Sequence, residues 1–258
     1  MTPKPYPKSK RKAQMNKRMT LIIGTVCVNG LFFCSDSEEG SPSGAKRQVN
    51  KLFAKRGSSW QMIIGGAGVG SLCDIAVQRI FAAADKRNDD FLAEHETIIG
   101  DEMRKIYEQY IDKAPEWKRY DRDISLVIGL LDFDTRNMLL YKTEQEILAP
   151  VQDQFACAGT GDTIANYYLD RLFHDFRPPT MSGSIPRLHE AEALLQYVMR
   201  EAKQSTGGVG GNTKTIQVSF ARNEGPCYGT FGVGWEGRQP ELESLFHHFW
   251  LDEPNPTQ

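Results

Sequence analysis

No run of 18 consecutive apolar residues occurs in the 258-residue chain, so no transmembrane helix is expected. The first residues carry no apolar stretch of secretory type. The five cysteines (Cys27, Cys34, Cys73, Cys157 and Cys227) include no CxxC pair. Buried, reduced thiols in a cytoplasmic protein are the expectation, without a structural zinc site. Among the five histidines, His189-Glu190 lacks the second His of a zinc-hydrolase helix, and the adjacent His247-His248 point to different helix faces. No Gly-x-Ser-x-Gly elbow is present. The stretch "GGAGVGS" runs Gly66-x-Gly68-x-x-Ser71, lacking both the third glycine of a dinucleotide loop and the Lys-Ser/Thr of a P-loop. No cofactor and no metal are expected.

What is present is an ordinary globular composition, 40% apolar and 25% charged, in a chain long enough for one large domain or two small ones. Charge is unevenly placed. Residues 1–19 hold seven Lys/Arg and no acid, which leaves 24 basic against 33 acidic side chains in the body, near −9. The basic segment cannot bury a core and reads as a disordered leader or pro-segment, followed by a single domain over 20–258. An acidic body argues against nucleic acid as the main partner.

Leu21 to Val28 and "LFFCSD" are apolar runs joined by Asn29-Gly30, the strongest short hairpin signal. Neither run alternates, so both faces of the hairpin should be covered. "WQMIIGGAGVGSLCDIAVQRIFAAA" reads as strand, glycine turn and helix, with Ser71 as N-cap, Asp74 completing a capping box, and Leu72, Ala76, Ile80 and Ala83 on one stripe. "DEMRKIYEQYIDKA" reads as an exposed helix ended by Pro115. Residues 124–134 and 137–143 form a second hairpin. "QDQFACAGTGDTIANYYLDRLF" repeats strand, small-residue turn and helix, with Asp162 as N-cap. A helix from about Pro186 to Lys203 is broken by "STGGVGGN"; "TKTIQVSFA" is a strand, and "PELESLFHHFW" a last helix. Strands and helices come in blocks, which fits an α+β fold of two stacked, mainly antiparallel sheets with helices outside, an αββα sandwich.

The ordered signposts "TLIIGTVCVNGLFFCSDS", "NKLF", "IIGGAGVGS", "ACAGTGD" and "STGG", spread over roughly residues 20–220, resemble those of proteasome β-type subunits and their bacterial relatives. These are N-terminal nucleophile hydrolases, and the resemblance implies the four-layer αββα sandwich. It puts Thr20 on the family's nucleophile, which becomes the first residue of the mature chain. It puts Asp36 on the Asp ending the second strand and Lys51 on the catalytic Lys. The Gly65–Gly66 pair, with Gly66 preferred, falls on the glycine whose N–H helps hold the oxyanion. Thr160-Gly161-Asp162 falls where the family has Ser-Gly-Ser, and Thr206 falls on a family Ser. One position departs: where the family carries an Asp three residues before that Ser, this chain has Lys203, with no acid until Glu201.

Physical chemistry supports such a set. A Thr hydroxyl needs an adjacent base to become a useful nucleophile. A free α-amine, with a pKa of about 7.7–8.0, is a base carried by the same residue. A buried Lys beside it favours the neutral amine and steadies developing alkoxide. Asn29-Gly30 as the turn sets Val28 opposite Leu31 and Ile23 opposite Asp36. Asp36 then lies about 10 Å from Thr20, joined to it only through Lys51. The chemistry requires a cut after Met19. Family pro-segments usually end in Gly, so Met19 favours translation from Met19 and Met removal over autocatalytic loss of the leader.

The resemblance implies a threonine-type peptidase acting on peptide or protein, in a homo-oligomeric ring of like subunits, and it leaves any ATPase partner unknown. A catalytically inactive ring subunit is the alternative, and an amide hydrolase acting on a small molecule is a third reading.

Overall fold

The structure is a computed structural model that describes residues 20–40, 46–87, 90–115, 122–175, 185–206, 209–220 and 227–231. In chain order its elements are β1 (Ile22–Cys27), β2 (Gly30–Asp36), β3 (Glu38–Gly40), β4 (Lys46–Gln48), β5 (Leu52–Arg56), β6 (Trp60–Gly68), α1 (Gly70–Arg87) and α2 (Phe91–Ile106). There follow β7 (Ile124–Asp132), β8 (Met138–Glu144), β9 (Ile147–Pro150), β10 (Phe155–Ala158), α3 (Asp162–Asp170), α4 (Leu188–Ser205), β11 (Thr213–Ser219) and β12 (Cys227–Phe231). Single π-helical turns extend α2 over Tyr107–Ile111 and α3 over Arg171–Asp175.

Two five-stranded antiparallel sheets form, in the orders β10-β1-β2-β11-β12 and β5-β6-β7-β8-β9. Three separate apolar clusters fill the spaces between four layers. Leu21, Ile23, Phe32 and Cys34 pack against Leu195, Val198 and Met199 of α4 on the outer face of the first sheet. Ile22, Leu31 and Phe33 meet Ile63, Val127 and Leu131 between the sheets. Met62, Ile64, Leu126 and Ile128 pack against α1 and α2 on the far side. Successive strand residues point to opposite faces, so the unbroken apolar runs are those of strands buried on both sides. This is the αββα sandwich anticipated from the block order.

Several local expectations are corrected. The first hairpin turns at Val28-Asn29, pairing Cys27 with Gly30 and Ile23 with Cys34, so Ile23 does not face Asp36. Gly30 belongs to the strand because β11 passes over it. A Cβ there would stand 2.0 Å from the carbonyl oxygen of Val218, so the glycine is required for sheet packing and not for the turn. Ser71 lies inside α1, which starts at Gly70, so it is not the N-cap. The amides of Leu72 and Cys73 instead donate to the Val69 carbonyl at 2.9 Å. The cap of α3 is Gly161, with Asp162 as the first helical residue. The final helix expected at "PELESLFHHFW" and the leader at 1–19 lie outside the described residues.

Candidate active site

Shifting the turn by one residue brings Asp36 to the first residue of the domain. The Asp36 amide donates to the Leu21 carbonyl at 3.1 Å, extending the β1–β2 ladder. The buried Asp36 carboxylate then reaches both neighbours. Its Oδ1 accepts the Thr20 hydroxyl at 2.8 Å and the Leu21 N–H at 2.8 Å. The expected 10 Å separation of Asp36 from Thr20 is therefore overturned: they are in direct contact.

Lys51 comes from the other sheet, at the entrance of β5. The residue is buried, and its ammonium is shared three ways. It contacts Thr20 Oγ1 through a short hydrogen bond, Asp36 Oδ1 at 2.9 Å and the Glu38 carbonyl at 2.6 Å. All three ammonium protons are thus used, two of them on the Thr20–Asp36 pair. Burying an ion pair is costly unless such additional hydrogen bonds accompany it, and here they do. The Thr20 N–H donates to Thr160 Oγ1 at 3.2 Å, and Thr160 lies in the turn between β10 and α3. Gly159 makes that approach possible. Its φ is +106°, and a Cβ there would lie 2.2 Å from the Thr20 carbonyl oxygen.

The other expected residues behave differently. Gly66 lines the same cavity as Thr20 and Lys51. Its N–H, however, donates to the Lys51 carbonyl at 3.0 Å. The strand ladder therefore occupies the donor assigned to an oxyanion. Asp162 caps nothing on Thr20; its carboxylate accepts the Thr163 hydroxyl at 3.3 Å. The Thr206 hydroxyl is buried and finds no hydrogen-bond partner among the described residues.

Two groups to which sequence reasoning gave no role lie at or beside the site. The Gly210 N–H, ahead of β11, reaches Asp36 Oδ2 at 3.4 Å. Lys203 of α4 donates to the Gly211 carbonyl at 2.8 Å and Thr213 Oγ1 at 2.7 Å. Burial pushes its pKa down, opposed by the nearby Asp36 carboxylate. The departure of Lys203 from the family pattern was the signal that could have found it. The cavity in front of Thr20 is lined by Glu38, Glu39, Arg47, Phe53, Cys73 and Asp74 among others. Glu38 pairs with Lys46 at 2.7 Å and Glu39 with Arg47 at 2.6 Å. Among the described residues, no group of His, Cys, Asp and Glu is arranged to hold a metal ion.

A hydroxyl, a shared ammonium and a carboxylate at a sheet mouth form an arrangement that can activate and steady an oxygen nucleophile. Neither a family model nor a curated protein matches the sequence. Solved structures do match. The Anbu (Gly-1) mutant from Hyphomicrobium sp. strain MC1 aligns with a TM-score of 0.68 at 15% identity, over 89% of this chain and 93% of that one. Anbu (ancestral beta-subunit) from Yersinia bercovieri gives 0.64 at 15% identity, over 89% and 92%. The Anbu complex from Pseudomonas aeruginosa, described as a helical assembly, gives 0.67 at 13% identity, over 92% and 98%. The architecture of this chain is therefore that of the Anbu structures, a four-layer αββα sandwich.

Proposed function

We propose that the protein is a threonine-type peptidase in which Thr20, freed of residues 1–19, attacks a peptide carbonyl. The observation that carries this reading is the single Thr20 hydroxyl held between Asp36 Oδ1 and the Lys51 ammonium. In the reaction the Thr20 α-amine takes the hydroxyl proton as Oγ1 bonds to the carbonyl carbon. The peptide C–N bond then breaks, and the amine proton leaves with the new amino terminus. Water adds to the resulting ester in a second step, releases the carboxylic acid and returns the hydroxyl. Lys51 steadies the negative charge on Oγ1, and Asp36 orients Lys51. Assembly with further copies of the chain is part of the proposal, by analogy with the Anbu complex described as a helical assembly.

A non-catalytic structural subunit is the second reading. Lys203 favours it, because the family carboxylate at that position is absent. Intact-mass measurement and a fluorogenic peptide panel separate the two. A mature chain beginning at Thr20, with turnover lost in Thr20→Ala, is the expected result. A chain that keeps its leader in every molecule, or equal turnover in Thr20→Ala, removes the peptidase reading.

A further inference from the structure

Asp36 is gripped from both directions. Oδ1 takes the Thr20, Leu21 and Lys51 donors, while Oδ2 takes the Gly210 N–H. Gly210 sits in the connection between α4 and β11, and Lys203 pins that connection through Gly211 and Thr213. Thr213 is the cross-strand partner of Asp36, and residues directly opposite on antiparallel strands lie about 4.5–5.5 Å apart at Cα. Strand alternation also places Cys34 and Asp36 on the face turned toward α4. The Lys203 ammonium therefore descends beside the carboxylate from the helix side, while the Lys51 ammonium reaches it from the other sheet.

β2 supplies Asp36, and its Cys34 thiol is kept protonated by burial. β3 supplies Glu38 and Glu39, each paired with β4 through Lys46 and Arg47. Lys51 precedes β5, and α1 contributes the exposed Asp74. The β10–α3 segment adds the buried, protonated Cys157 and the half-buried Asp162. α4 adds Lys203. Glu38 and Glu39 are paired outward, Asp74 is exposed and Asp162 accepts the Thr163 hydroxyl, which leaves the Asp36 carboxylate with the Lys51 ammonium in contact and the Lys203 ammonium on its helix side.

We infer that Lys203 is a positioning residue that seats the Gly210 loop on Asp36 and leaves the shell around Thr20 with one surplus positive charge, which holds the Thr20 α-amine in its neutral, base-competent form. This rests on the reading of Thr20 as the mature terminus. A cation disfavours the protonated amine, so the amine pKa falls and the acid limb of kcat/KM lies below the ordinary range of about 7.7–8.0.

The test is an NMR titration of the α-amine in the processed chain labelled with 15N-threonine, alongside the pH profile of peptide cleavage. Lys203→Gln retains polar contact without charge and should raise the amine pKa by about one unit, shifting the acid limb to higher pH with it. Lys203→Arg should stay near the parent value. If Lys203→Gln does not fold, Lys203→Met combined with Thr213→Val carries the same titration. An amine pKa unmoved by loss of the charge overturns the inference, as does a parent value at or above the ordinary range. A low amine pKa that responds to Lys203, in a chain with no turnover, sinks the peptidase reading and leaves this inference standing. A Thr20 that stays joined to its leader sinks both.

Discussion

At the scale of single residues, Asp36 and Lys51 form a buried pair whose two halves come from different sheets. Removing one half of such a pair leaves the other uncompensated in a low-dielectric site. Asp36→Asn should therefore lower the unfolding free energy by about 3–5 kcal/mol in denaturant titrations. Adding Lys51→Met should cost less than the sum of the two single changes, because the stranded ammonium is removed. A loss in Asp36→Asn of under about 1 kcal/mol, the size of an exposed ion pair, would contradict this account.

Little of this contact was visible in the residues themselves. Thr20, Asp36 and Lys51 were singled out through family resemblance, and strand counting then set the first two far apart. The error came from one glycine. Asn-Gly is read as a turn because both residues tolerate positive φ, but Gly30 was selected by the backbone of β11 lying against it. A long-range contact of that kind leaves no local mark. The Gly66 N–H is likewise held by a long-range contact, its acceptor being the Lys51 backbone carbonyl just ahead of β5.

At the scale of elements, the two sheets interlock through Phe33. Its ring lies over Gly24 of the adjacent strand β1 and Gly129 of β7 in the opposite sheet. A Cβ at either glycine would come within 2.6 Å or 2.8 Å of the ring. Gly129→Ala should cost about 1–3 kcal/mol by overpacking, and Phe33→Leu in the same chain should recover part of that loss. Denaturant melts of Gly129→Ala, Phe33→Leu and the double variant would check this, and additive costs would count against it. The long buried strands were legible because both faces are apolar. β5 escapes notice because it is short and ends in Lys55 and Arg56, and β9 because its four residues end in Pro150 and are not buried.

At the scale of the molecule, burial keeps several acids protonated far beyond their ordinary range. The Cys27 thiol is raised to about 12, and Cys34 and Cys157 are pushed up by the same cause. Tyr107 and Tyr141 are raised too, by burial first and then by hydrogen bonds to Asp123 and Glu96. Above the unfolded thiol pKa, near 8.5, the unfolded chain releases protons that the folded chain retains. Stability is accordingly full below that pH and falls as pH climbs toward 12. The guanidinium midpoint should drop between about pH 8 and about pH 10.5, and the drop should shrink in Cys27→Ala. A flat profile over that range would refute the assignment. Among the described residues, no helix is long and apolar enough to cross a membrane.

The carboxylate at position 36 ties down the Leu21 amide and the Gly210 amide as well as the Lys51 side chain. It is mortar as much as machinery. A copy of this fold without turnover would still lose its footing without it, whereas the hydroxyl at position 20 anchors no backbone group among the described residues. Anyone sorting working copies from retired ones across a lineage should follow the hydroxyl and ignore the acid.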